Sequence, residues 1–225
     1  KNEIKVEIEI KAYEASENGA ENLLESVNIA ELREGNLISF KTNFEKTSLN
    51  FWSRVKNGQE ERRGVQVNYL IYMPSKNPLD ISNRYGRTEI DDFSGPVNIS
   101  SSYGSLKSGK LDNPANQVKV SYGSASIENF INGNLSVAYG SLTMNQGAKL
   151  SATIKYSKAT IAQLSQGGNF NLAYTGGFKI DEVDKSVKNL NINSSYSGVS
   201  LGLEEGANFD FDVTVNYAGF NYSNS

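Results

Sequence analysis

Eight tyrosines, Tyr85, Tyr103, Tyr122, Tyr139, Tyr156, Tyr174, Tyr196 and Tyr217, recur at intervals of 18, 19, 17, 17, 18, 22 and 21 residues through the C-terminal two-thirds of the chain. A period near 20, carried by short apolar runs without helical stripes, constrains the fold severely. Each repeat is too short to bury its own apolar face and must complete it against the next, as coils of a solenoid do. The repeats read "VNISSSYGSLKS" from Val97, "VKVSYGSASI" from Val118 and "LSVAYGSLTM" from Leu135, two strands and a corner in each. The pattern predicts an all-β fold, a single-stranded parallel β-helix or β-solenoid with coils of about 17 to 22 residues. An antiparallel β-meander or barrel is the alternative, with Tyr-Gly in hairpin turns.

Parity locates the corner. In the fourth repeat Leu135, Val137 and Tyr139 share one face, whereas Leu142 and Met144 lie an odd number of residues further on. A bend at Tyr-Gly is needed to keep both strands facing inward, and glycine takes φ > 0 there without a Cβ clash. Gly86, Gly104 and Gly123 fit this reading, while Ser157, Thr175, Ser197 and Ala218 occupy the slot in later coils and depart from it. Eight coils at about 4.8 Å make a rod of roughly 35 to 40 Å with open sheet edges at both ends.

Residues 1–73 differ from the repeats. Ile4, Val6, Ile8, Ile10 and Ala12 alternate with charged neighbours, which predicts a half-buried strand. Ala20, Leu23, Leu24 and Val27 suit a short helix or a bulged insertion. Strands near Val27–Leu32 and Leu37–Phe44 are joined by Arg33-Glu34-Gly35-Asn36, a tight hairpin. Glu45 to Gly64 reads as a long polar loop around Trp52, with Leu49, Phe51 and Trp52 as candidates to cover a sheet edge, and Glu60-Glu61-Arg62-Arg63 as a solvated part of it. From Val65 the alternation returns and Pro74 ends that strand. Residues 1–73 are expected to pack on or begin the solenoid formed by 74–225, as one continuous domain. Lys1 opens the chain inside a strand and no initiator Met precedes it, which fits a trimmed targeting segment and a natural protein that continues beyond both ends.

Composition narrows the chemistry. Histidine and cysteine are both absent, which removes the Ser-His-Asp arrangement, thiolate nucleophiles, disulfides and His- or Cys-bound metals. The 22 basic and 25 acidic residues are mixed along the chain without a basic block, so nucleic acid is not an expected partner. No apolar run reaches 18 residues, so no transmembrane helix is expected. No cofactor is expected either. Carboxylates at Asp91-Asp92, Asp181-Glu182-Asp184, Glu204-Glu205 and Asp210/Asp212 are the only candidates for acid/base or calcium chemistry, and turn positions give them a plainer role.

The tyrosines are the candidate ligand-binding residues, Tyr103, Tyr122, Tyr139 and Tyr156 above all, because a ring face can stack on a pyranose. The plainer reading gives them the parity of the buried aliphatics, stacked on one another inside or at the corner with hydroxyls at the rim. Burial predicts a loss of about 3 to 5 kcal/mol for Tyr139→Ala, and exposure a loss near 0.5. Arg84 and Arg87 beside Tyr85, and Lys155 and Lys158 beside Tyr156, place a basic stripe near the ladder, suited to an anionic glycan.

The stretch "VNYLIYMPSKNPLDISNRYGRTEIDDFSGPVNISSSYGSLKSGKL" resembles a bacterial adhesin-like family of unknown function, of the kind common in Bacteroidetes and related to head-domain adhesin-like proteins. Its strand ending in proline, its "LDISNRYG" coil and its "NISSSYG" coil carry the resemblance, which extends over about Val65 to Tyr217. The resemblance implies a right-handed β-solenoid, an extracytoplasmic location in the cell envelope or secreted, and no catalytic residues to carry over. The expected function is a non-enzymatic rigid surface for a glycan or a cell-surface protein. A polysaccharide-active enzyme and a structural or regulatory envelope component are the alternatives.

Overall fold

A computed structural model describes residues 3–45, 52–56, 59–207, 210–217 and 220–224. The chain forms two compact units, Lys1–Pro74 and Ser75–Ser225.

In the first unit the alternating segment is strand β1 (Lys5–Tyr13). Helix α1 (Glu17–Glu25) follows, capped by Ser16, whose hydroxyl accepts from the Gly19 N–H at 3.2 Å, and it buries Leu23. Strands β2 (Val27–Glu34) and β3 (Leu37–Phe44) form the expected antiparallel hairpin, with Gly35 at φ 56° in the two-residue turn. The long loop is not observed: β4 (Trp52–Lys56) pairs antiparallel with β5 (Gln59–Tyr72), which also pairs with β1. The segment lacks the apolar alternation that marks a half-buried strand, yet its backbone pairs as a hairpin. Glu60-Glu61-Arg62-Arg63 therefore belongs to a strand. Arg62 lies 3.3 Å over the Tyr13 ring and Arg63 pairs with Glu14 at 2.5 Å. Leu49, Phe51 and the Trp52 side chain lie outside the described residues.

The second unit is a parallel β-solenoid, as the tyrosine period requires. Its strands are β6 (Leu79–Arg84), β7 (Arg87–Ile90), β8 (Val97–Ser102), β9 (Ser105–Leu111), β10 (Gln117–Ser121), β11 (Ser124–Ala138), β12 (Ser141–Lys155), β13 (Lys158–Leu164), β14 (Gly168–Ala173), β15 (Phe178–Val183), β16 (Asn189–Ser195), β17 (Val199–Leu203), β18 (Asp210–Asn216) and β19 (Phe220–Asn224). Strands entering a tyrosine corner pair with their equivalents in neighbouring coils, and strands leaving it do the same. Every one of these pairings is parallel, so the meander and barrel alternatives do not hold. The two 17-residue intervals correspond to β11 and β12, which run unbroken from one tyrosine corner to the next. Longer intervals insert turns on the opposite side, such as 112–116 and 184–188, where Asn, Asp and Ser bond nearby backbone.

The core lies between the two strand columns. Val118, Val120, Leu135, Val137 and Ile154 enter it from one side, and Ile127, Leu142, Met144, Ile161 and Ile180 from the other, all at most 3% exposed. Phe130, Phe170 and Phe178 fill its widest places. In the central coils the strands largely alternate buried and outward positions, so stacking aligns like with like and the apolar residues cover their neighbours above and below. No helix among the described residues is long and apolar enough to cross a membrane.

The corner is built differently from the sequence expectation. The left-handed backbone belongs to the tyrosine: all eight have φ between 50° and 62°, whereas Gly86, Gly104, Gly123 and Gly140 do not adopt positive φ. Parity counting holds only while the chain stays extended, so a left-handed residue turns its own side chain outward and resets the inward positions beyond it. The following glycines serve close approach instead. A Cβ on Gly104, Gly123 or Gly140 would fall far inside contact distance of the carbonyl oxygen of Gly86, Gly104 or Gly123 in the preceding coil. Later coils use a hydroxyl in this slot. Ser157 Oγ donates to the Lys155 carbonyl at 2.7 Å and accepts from the Gly140 N–H at 3.1 Å; Ser197 Oγ does the same for the Ser195 carbonyl and the Thr175 N–H, both at 2.9 Å. Ala218 lies outside the described residues.

Candidate functional site

The left-handed corners place the tyrosines in one outward ladder. Tyr103, Tyr122, Tyr139 and Tyr156 follow at 4.8 Å between ring centroids with interplanar angles of 2 to 3°. Tyr85 joins at one end at 5.1 Å, and Tyr174, Tyr196 and Tyr217 at the other at 5.0, 4.9 and 5.3 Å. The rings stand at the corner and about half exposed, not inside: Tyr139 keeps 49% of its surface. Rings in contact are about 3.5 Å apart, so parallel rings 4.8 Å apart at their centres are offset-stacked. Each interior ring therefore spends its faces on its neighbours and offers solvent an edge and a hydroxyl. A pyranose laid on a ring face, the mode that first singled out these residues, has no room between the rungs.

Beside the ladder runs a shallow groove of about 710 Å³, broadly open to solvent. Its floor is Gly86, Gly104, Gly123 and Gly140, one wall is the tyrosine row and the other is Ser105, Ser124 and Ser141. The glycines required for coil stacking also leave the floor without side chains. Part of the backbone here is engaged between coils: the Tyr103 and Tyr122 N–H groups donate to Ser121 and Ala138 carbonyls at 3.0 and 2.9 Å, and the Ser124 and Ser141 N–H groups to Gly104 and Gly123 carbonyls at 3.2 and 3.1 Å. Beside them the tyrosine and serine side chains line the groove with hydroxyls.

Strand register sorts the basic residues into two pairs. Arg84, Ser102, Ser121, Ala138 and Lys155 occupy one column on the near side of the ladder. Arg87, Ser105, Ser124, Ser141 and Lys158 occupy the column on the far side. Three coils whose positions in these two columns are uncharged consequently separate an arginine pair from a lysine pair four coil steps away, roughly 19 Å at about 4.8 Å per step, while Lys107 and Lys119 lie in those coils one outward position further from the corner. Arg84 is held over the Tyr85 and Tyr103 rings at 4.8 and 5.4 Å, and Arg87 pairs with Glu89. Along the two columns flanking the ladder, the basic stripe foreseen in the sequence is two charged ends joined by serine and alanine positions.

The acidic candidates are dispersed and bonded locally. Asp92 accepts from the Lys110 N–H at 2.8 Å, Asp181 pairs with Lys179 at 2.5 Å and Glu182 accepts from Gln163 at 2.9 Å. Hydrogen bonds from Ser186 hold the Asp184 carboxyl below its ordinary value. Glu204 is lowered by bonds from the Lys185 backbone N–H at 2.9 Å and ammonium at 3.1 Å, and Lys185 is raised correspondingly. Among the described residues no three or more carboxylates gather as a metal site. The Asp210 and Asp212 side chains lie outside the described residues.

The groove itself was missed in the sequence. Its signal was Tyr-Gly-Ser in three consecutive coils at 103–105, 122–124 and 139–141, whose serines share a column once the register is known. Comparison with protein-family models, curated proteins and solved structures gave no match. The fold and the site define a parallel β-solenoid with a rigid, repetitive outer surface.

Proposed function

We propose that this chain is a non-enzymatic binding module that uses the tyrosine-serine groove to hold a glycan. The observation that carries the reading is the choice of tyrosine at all eight left-handed corners. Left-handed backbone costs an L-residue about 1 to 2 kcal/mol, while one aromatic stack returns about 0.5 to 1.5. The rungs therefore roughly break even, and glycine would take the same corner without strain. Stacking thus leaves little net stability per rung after the strain is met, and backbone strain kept at a surface supports a role in binding. Its extracytoplasmic, adhesin-like setting rests on the family resemblance of the repeats.

The test is a broad glycan array probed with the wild type and with Ser124→Trp, which fills the groove from an exposed position without touching the core. Selective binding that disappears in Ser124→Trp is the expected result. Silence of the whole array, or binding that Ser124→Trp leaves intact, would overturn the proposal.

A further inference from the structure

We infer that the ligand is a linear anionic polysaccharide lying along the groove, parallel to the coil stack, with its acidic groups reaching the two cation pairs. This rests on the proposed binding role and adds the ligand class, orientation and length.

The groove runs along the stacking direction, and its hydroxyls recur once per coil on both walls, so it suits a polymer with a comparable repeat. A peptide strand would look for an unbroken row of backbone N–H and carbonyl partners, and the tyrosine and serine N–H groups and the glycine carbonyls at the corner are taken by the inter-coil bonds. Sugar hydroxyls find what is offered, tyrosine and serine hydroxyls. The glycine floor lets a chain sit close to the backbone, and no apolar pocket lines the groove to receive a side chain.

Charge sets the ends. Lys155 and Lys158 make no ion pair with another described side chain. Arg84 is braced by two rings, and only Arg87 is partly neutralised, by Glu89. Carboxylate or sulfate groups meet a cation pair at either end only if the ligand spans the coils between them, whose positions in the flanking columns are serine and alanine. Affinity should therefore depend on length: an oligomer reaching both pairs gains the second contact at high effective concentration.

Isothermal titration with hexagalacturonate, digalacturonate, a neutral galactan hexasaccharide, a heparin hexasaccharide and short poly-glutamate tests this. The variants are Arg84→Gln with Arg87→Gln, Lys155→Gln with Lys158→Gln, and Ser124→Trp, all at exposed positions that leave the core untouched. One of the two anionic hexasaccharides is expected to bind, and which one separates carboxylate from sulfate recognition. Either charge variant should weaken it about tenfold or more, equivalent to about 1.4 kcal/mol, and digalacturonate should bind far more weakly. Equal binding of the neutral hexasaccharide, abolished by Ser124→Trp, would refute the anionic class while leaving the groove as a glycan site. Equal binding of poly-glutamate would refute the polysaccharide in favour of an acidic peptide. Failure of every saccharide would overturn both proposals.

Discussion

Replacing Tyr139 separates the two energies that meet at each rung. Tyr139 stacks on Tyr122 and Tyr156, both at 4.8 Å, and holds φ 55°. Tyr139→Ala removes two stacks and keeps the left-handed strain, for a loss of about 1 to 3 kcal/mol. That is less than burial in the core would have implied. Tyr139→Gly removes the same stacks but releases about 1 to 2 kcal/mol of strain. Against this, the freer unfolded chain costs about 0.4 to 1 kcal/mol. Glycine should therefore be more stable than alanine at this position by about 0.5 to 1 kcal/mol, the reverse of the usual strand order. Urea denaturation followed by far-ultraviolet circular dichroism measures the difference, with Ser141→Ala and Ser141→Gly as the control pair in ordinary strand geometry, where alanine should win. An alanine variant at 139 as stable as the glycine variant, or more so, would refute the strained-corner reasoning.

Other expectations follow from neighbouring features. Gly123→Ala pushes a Cβ into the Gly104 carbonyl and should cost about 3 kcal/mol in the same denaturation assay, although alanine is small. Phe130→Ala, at a fully buried position, should cost about 3 to 5 kcal/mol, and a loss below about 1 would mean the core is not packed as described. Asp184 and Glu204 have carboxyls held below their ordinary values, so their contribution is present above the unfolded pKa and is lost as pH falls below about 4. Protection factors of the Lys185 and Ser186 amides, corrected for slower intrinsic exchange in acid, should fall in that range before those of Ile154 and Ile161, and a uniform fall would contradict the local origin.

The solenoid was legible because stacking demands the same residue class at the same place in every coil, and Val118, Leu135 and their equivalents meet that demand visibly. The corner was legible as a bend but assigned to the wrong residue. Composition rules favour glycine at φ > 0, and nothing in "SYGS" says that tyrosine takes the strain while glycine accommodates a neighbouring carbonyl; that depends on how close two coils come. Burial of the ladder followed from carrying strand parity one residue too far. The hairpin at 52–72 escaped because its strands carry charge on positions that a half-buried strand would fill with apolar groups. Arg84, Arg87, Lys155 and Lys158 were legible together as a basic stripe beside the ladder, and only the strand register sorts them into two columns.

The most direct test of the account is a two-dimensional NMR titration of the isotope-labelled protein with hexagalacturonate, followed by the heparin hexasaccharide. The groove assignment predicts amide shifts concentrated at Gly104, Ser105, Gly123, Ser124, Gly140 and Ser141, with smaller changes at Arg84, Arg87, Lys155 and Lys158. Shifts concentrated on another face of the solenoid, or no shifts with either saccharide, would contradict it.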